Sequence, residues 1–93
     1  MSLQERRKRI DIIDEQIVTL LNRRAAEVKQ IGHLKAATGV PVVDAFREAE
    51  IYRRAKAENC GHIDDEGLMR IFAQIVAESR RIQTHSRSTE PIR

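Results

Sequence analysis

Apolar residues at Leu3, Ile10, Ile13, Ile17, Leu20, Leu21, Val28, Ile31 and Leu34 recur at helical spacing through a stretch that has no proline and only Gly32 as glycine. That pattern predicts one uninterrupted helix from Leu3 to Ala37. Thr38-Gly39 supplies its stop, and Val40-Pro41 prevents it from resuming. Asp44 is the N-cap of a second helix that runs from Ala45 to about Asn59 and ends at Cys60-Gly61. Asp64 caps a third, with Asp65 and Glu66 placing negative charge in its first turn and Leu68, Ile71, Phe72, Ile75, Val76 and Ile82 forming its apolar stripe. The last ten residues, THSRSTEPIR, show no periodicity. The expected organisation is an all-α domain of three helices over residues 1–83, followed by a flexible tail or linker over 84–93.

The length of the first helix changes this picture. Its 35 residues span about 52 Å, whereas a compact chain of 93 residues has a diameter on the order of 32 Å. The two shorter helices cannot cover such a stripe, so a second copy of the chain is expected to do so, in a homodimer with intertwined long helices. Composition agrees. The 11 Ile, 10 Ala, 6 Val and 5 Leu against 2 Phe, 1 Tyr and no Trp are the small aliphatic palette of packed helices. A chain this short buries too little surface to be more than marginally stable alone. Cys60 is the single cysteine, which removes an intrachain disulfide, and no Cys/His pair has metal-ligand spacing, so no zinc site is expected. With no long apolar run and a charged N-terminus, the sequence reads as cytoplasmic, without a membrane partner.

The net charge of +3 comes from 17 basic and 14 acidic residues that are interleaved rather than blocked, a weak signal for nucleic acid, and none is expected as a partner. More telling is the ratio of 13 Arg to 4 Lys. Arg presents a planar fork that fits carboxylates and phosphates in a bidentate way, which brings in small anionic ligands.

Several polar residues fall where the pattern asks for apolar ones. In heptad register one position of the first helix reads Leu3, Ile10, Ile17, Arg24, Ile31, so Arg24 interrupts an aliphatic seam. Arg24, Val28, Ile31 and Lys35 share one face. The two cations can serve a ligand, or pair with internal carboxylates such as Glu27 or Glu48, or snorkel to solvent. On the third helix the stripe Leu68, Phe72, Ile75 continues at the same spacing into Ser79 and Gln83, which fits either a polar site or a frayed helix end. Asp44 and Glu48 have ordinary capping roles, but Arg47 in the first turn opposes the helix dipole and looks recruited. Arg7 lies 17 residues before Arg24, about 25 Å along the helix. Within one chain the two cannot meet one small ligand; in an antiparallel dimer they can.

The stretches RRKRIDIIDEQIVTLLNRR, IGHLK, GVPVVDAFREAEI and IFAQIVAESRRIQ resemble the all-helical chorismate mutase family, over nearly the whole span from Leu3 to Gln83. The resemblance implies an intertwined dimer of three-helix subunits. It implies that Arg7 enters the neighbouring subunit's site, and that Arg24, Lys35, Asp44, Arg47, Glu48, Ser79 and Gln83 bind substrate. The implied reaction is the [3,3] rearrangement of chorismate to prephenate in phenylalanine and tyrosine biosynthesis, which needs no nucleophile, metal or redox cofactor. In it Arg7, Arg24 and Arg47 clamp the carboxylates, Lys35 and Gln83 donate to the ether oxygen, Glu48 with Asp44 accepts from the ring hydroxyl, and Ser79 touches a polar edge. Arg24, Lys35, Glu48 and Gln83 are the catalytic set on this reading. An isochorismate-pyruvate lyase that forms salicylate is the alternative within the fold, and a non-catalytic helical dimer the alternative outside it. Cys60, His33, His62 and His85 have no role in the scheme.

Overall fold

A computed structural model describes the backbone of residues 1–88 and the side chains of 1–86. It is all-α, with α1 over Leu3–Thr38, α2 over Ala45–Glu58 and α3 over Asp65–Ser88. Local chemistry accounts for most boundaries. Ser2 and Glu5 close a capping box at the start of α1, the serine hydroxyl accepting from the Glu5 N–H at 3.1 Å. Gly39 ends α1 at φ 72°, a left-handed conformation in which its N–H returns to the Lys35 carbonyl. Asp44 caps α2 by accepting from the Arg47 N–H at 3.0 Å, and Asp64 caps α3 through the Gly67 N–H at 2.7 Å.

The third helix does not end at Gln83. It continues through Thr84 and on to Ser88, so the first half of the expected tail is helical, and residues 89–93 lie outside the described residues. The reason is tertiary. Ser86 is only 2% exposed, and its hydroxyl donates back to the Ile82 carbonyl at 2.8 Å. It fits because Gly32 stands opposite. A Cβ on Gly32 would lie 2.9 Å from the Ser86 Cβ, 3.0 Å from the Gln83 Cα and 3.1 Å from the Gln83 carbonyl oxygen.

Gly32 therefore sets the closest approach of α1 to α3. Gly32→Ala gains about 1 kcal/mol of helix propensity but forces a backbone shift that costs about 1–3 kcal/mol. The expected net result is a lower Tm, with Gln83 displaced. A thermal melt checks it; an unchanged or raised Tm contradicts the close approach.

α1 packs on α3, and α3 on α2. The buried α3 positions Val76, Ser79, Gln83 and Ser86 repeat at intervals of three and four, one face of a helix. Facing them are the buried Val28 and Gly32 of α1. This end of the molecule has the only folded core among the described residues, and its buried apolar side chains are Val28 and Val76. The other end of α1 stands alone. Every residue from Met1 to Arg23 is exposed, including Ile10 at 54%, Ile13 at 51% and Ile17 at 47%. The extents of 53 × 29 × 15 Å and the radius of gyration of 16.4 Å compare with about 12 Å for a compact chain of this length. No helix among the described residues is long and apolar enough to cross a membrane.

Candidate active site

The packed end of the molecule encloses a cavity of about 410 Å³ between the three helices, lined by Arg24, Glu27, Val28, Ile31 and Lys35 from α1, Val42 from the α1–α2 loop, Asp44, Arg47, Glu48 and Ile51 from α2, and Val76, Ser79, Arg80 and Gln83 from α3. Seven of the eight residues singled out in the sequence meet here. Arg7 does not. It stands on the exposed part of α1, on the far side of Arg24 from the rest of the cavity.

Each wall carries one kind of chemistry. On α1, Arg24 donates Nη1 to the Ser79 hydroxyl, and that hydroxyl in turn donates to the Ile75 carbonyl at 2.9 Å. The serine is thus buried, its proton committed to α3 and one lone pair to the guanidinium. Partial burial, and then repulsion from Arg47, lower the Arg24 pKa, but a guanidinium remains charged at any working pH. Among the described residues Arg24 forms no salt bridge. Lys35 donates to the Val42 carbonyl at 2.8 Å and to the Gln83 Oε1 at 2.8 Å. An ammonium has three donors, so one N–H remains for a ligand. With its oxygen committed to Lys35, Gln83 presents its Nε2 donors.

The α2 wall supplies the acid and one more cation. Asp44 is engaged as the helix cap. Arg47, more than half exposed, pairs with Glu50 across one turn, a surface pair of little energetic weight that a better-placed anion can displace. Glu48 is held by Arg80 of α3, whose Nε donates to Oε2 at 2.7 Å and whose Nη2 donates to Oε1. That hydrogen bonding is the largest influence on Glu48, and it holds the carboxyl below its ordinary range against the opposing effects of partial burial and of Asp44.

The arrangement excludes two of the readings left open by the sequence. Arg24 and Lys35 do not pair with Glu27 or Glu48; the acid that could have neutralised them is taken by Arg80. Ser79 and Gln83 are not at a frayed end, since they are 8% and 9% exposed and α3 continues past them. Arg80 was missed. A pair of adjacent arginines, Arg80-Arg81, reads as a solvated helix face, and Arg81 does pair with Glu78 in solvent. The available signal was the position of Arg80 four residues after Val76 and three before Gln83, on the face that packs inward.

The cavity therefore offers cations without acidic partners on one side, amide and ammonium donors at one end, and an ionised acceptor on the α2 wall. Such walls suit a small anionic ligand. Residues 6–84 match the family model described as chorismate mutase type II. The chain belongs to that family.

The all-helical chorismate mutases expected from the sequence are thus the family found. The chain is 33% identical over 82 residues to the chorismate mutase of Methanocaldococcus jannaschii, covering 87% of this chain and 83% of the relative. It is 38% identical over 79 residues to the bifunctional chorismate mutase/prephenate dehydratase of Aquifex aeolicus, where the match covers 81% of this chain. The chain spans about a fifth of the length of such bifunctional relatives. Among solved structures it superposes on chorismate mutase (form II) from Thermus thermophilus with a TM-score of 0.86 and 33% identity, over 88% of this chain and 93% of that one.

Proposed function

We propose that this chain is a cytoplasmic chorismate mutase that converts chorismate to prephenate, as a homodimer whose sites each borrow Arg7 from the neighbouring subunit. The observation that carries this reading is the pair Arg24 and Lys35, two cations that face one cavity and form no salt bridge among the described residues. Family membership supplies the substrate class. Chorismate is a dianion with a ring hydroxyl and an enol ether, which corresponds group by group to the chemistry of the walls.

The reaction breaks the ether C–O bond as a C–C bond forms within one molecule, so no nucleophile is required. What accelerates it is confinement of the flexible enolpyruvyl arm over the ring and stabilisation of the charge that grows on the ether oxygen. On this reading Arg24 and the incoming Arg7 and Arg47 clamp the two carboxylates. The free N–H of Lys35 and the Nε2 donors of Gln83 meet the ether oxygen. Glu48, near Asp44, accepts from the ring hydroxyl. Ser79 acts one step back, by steadying Arg24.

A second subunit is called for by the α1 surface. The aliphatic residues from Leu3 to Leu21 are 42–66% exposed at Leu3, Ile10, Ile13, Ile17, Leu20 and Leu21, and two buried valines do not make a core that folds alone. Pairing α1 with another α1 covers this stripe and brings the Arg7 end toward the partner's cavity.

Separate incubations of the purified chain with chorismate and with isochorismate test the activity. Prephenate from chorismate is expected. Salicylate and pyruvate from isochorismate, with no prephenate from chorismate, would replace the mutase by the lyase, and no turnover of either would leave a non-catalytic dimer.

A further inference from the structure

Glu48 is the most firmly held acid in the cavity, and the residue that holds it has no part in the scheme above. Both carboxylate oxygens accept from Arg80 across the α2–α3 gap, one from Nε and one from Nη2. The Glu48 side chain is 17% exposed and that of Arg80 47%, so the acid faces inward with the guanidinium at the rim. Each carboxylate oxygen has two lone-pair directions. One per oxygen goes to Arg80, and the other stays available to the cavity.

We propose that Arg80 is a positioning residue for the reaction: it aims the remaining lone pairs of Glu48 at the substrate hydroxyl. The inference rests on the chorismate reading of the site. Without a bidentate partner, a three-carbon carboxylate side chain samples several rotamers; with it, orientation is settled before substrate arrives. The charges around Glu48 come from every wall. Lys35, Arg24 and Glu27 line the cavity from α1, Asp44 and Arg47 from the start of α2, and Tyr52 lies one turn further along α2 and also influences Arg80. Lys35 and Arg80 favour the ionised acid, while Asp44 opposes it. The Arg80 hydrogen bonds outweigh the rest, and the acid is held below its usual range.

The direction of the pH effect follows. Glu48 accepts only when ionised, so kcat/KM falls as pH drops through its pKa in the free enzyme. Removing Arg80 lets the proton bind at higher pH, and the acid limb moves up. Arg80→Leu is expected to lower kcat/KM for chorismate about tenfold near neutral pH and to displace the acid limb upward. Arg80→Lys, which keeps the cation but not the fork, is expected to hold the limb close to that of the wild type while losing part of the rate. In a Glu48→Gln background, Arg80→Leu should change kcat/KM by less than about twofold, since there is no acid left to aim. A purely structural staple would instead lower the Tm while leaving kcat/KM of the folded protein and its acid limb unmoved. Either of those results overturns the inference. Helical circular dichroism accompanies each variant, and where Arg80→Leu loses it the same cycle is run with Arg80→Lys, for which equal losses in both backgrounds overturn the inference. Wild-type chain that makes no prephenate overturns the chorismate reading itself; normal wild-type turnover with an unshifted limb overturns only the role of Arg80.

Discussion

Lys35→Ala is expected to reduce kcat/KM for chorismate by about 10³-fold, and Gln83→Ala by about 10²-fold, with the helical content of the protein unchanged. The two side chains form one unit. Lys35 donates to Gln83 and to the loop carbonyl of Val42, so its ammonium is anchored by two of three donors and keeps the third for the proposed ligand. As the ether C–O bond lengthens, negative charge collects on oxygen, and a fixed cation already in place is worth far more than a water that must reorient. The loss should appear in kcat more than in KM, because the charge these donors meet is larger in the transition state than in the substrate. Gln83 adds a neutral donor that works at any pH. In a Gln83→Glu variant the new carboxyl must carry a proton to donate, and Lys35 disfavours that proton, so residual activity should rise as pH falls. Steady-state kinetics across pH measure all three variants. Full activity in Lys35→Ala would remove Lys35 from the reaction.

The parts of this molecule that could be read from sequence are those set by local chemistry. Asp44 and Asp64 are caps because of their own carboxylates, and Gly39 stops α1 because its φ of 72° suits glycine. Arg24 and Lys35 stood out because a cation on an apolar helix face needs a reason, and the fold brings them to one cavity. The end of α3 was not legible, since its last turn is held by Ser86 against Gly32, a contact between positions far apart in the chain. Arg80 was hidden for a related reason. Only its place on the helix separates it from Arg81, and no pattern in the sequence says that α2 packs over that place, which gives one arginine Glu48 and leaves the other with Glu78. The expectation that a 35-residue helix outruns its own domain is visible in the 53 Å long axis and the exposed Ile10, Ile13 and Ile17.

Arg7 is where the proposed site extends beyond one chain. It lies about 25 Å along α1 from Arg24, on a stretch with every residue exposed, so it serves a site only through a second copy. The aliphatic stripe around it gives that copy its reason to bind. Arg7→Ala and Arg24→Ala are each expected to lower kcat/KM by about 10²-fold or more, since each removes a bidentate partner of a substrate carboxylate. In a shared-site dimer the two lesions complement. A heterodimer of one Arg7→Ala chain and one Arg24→Ala chain has both lesions in one site and neither in the other. The two variants are unfolded together, refolded as a mixture and assayed for prephenate formation. Recovery to about a quarter of wild-type activity is the predicted result, because half the dimers are mixed and each mixed dimer has one intact site. Activity no higher than the average of the two variants alone, with mixed dimers demonstrated by native mass spectrometry, would contradict a site built from both subunits.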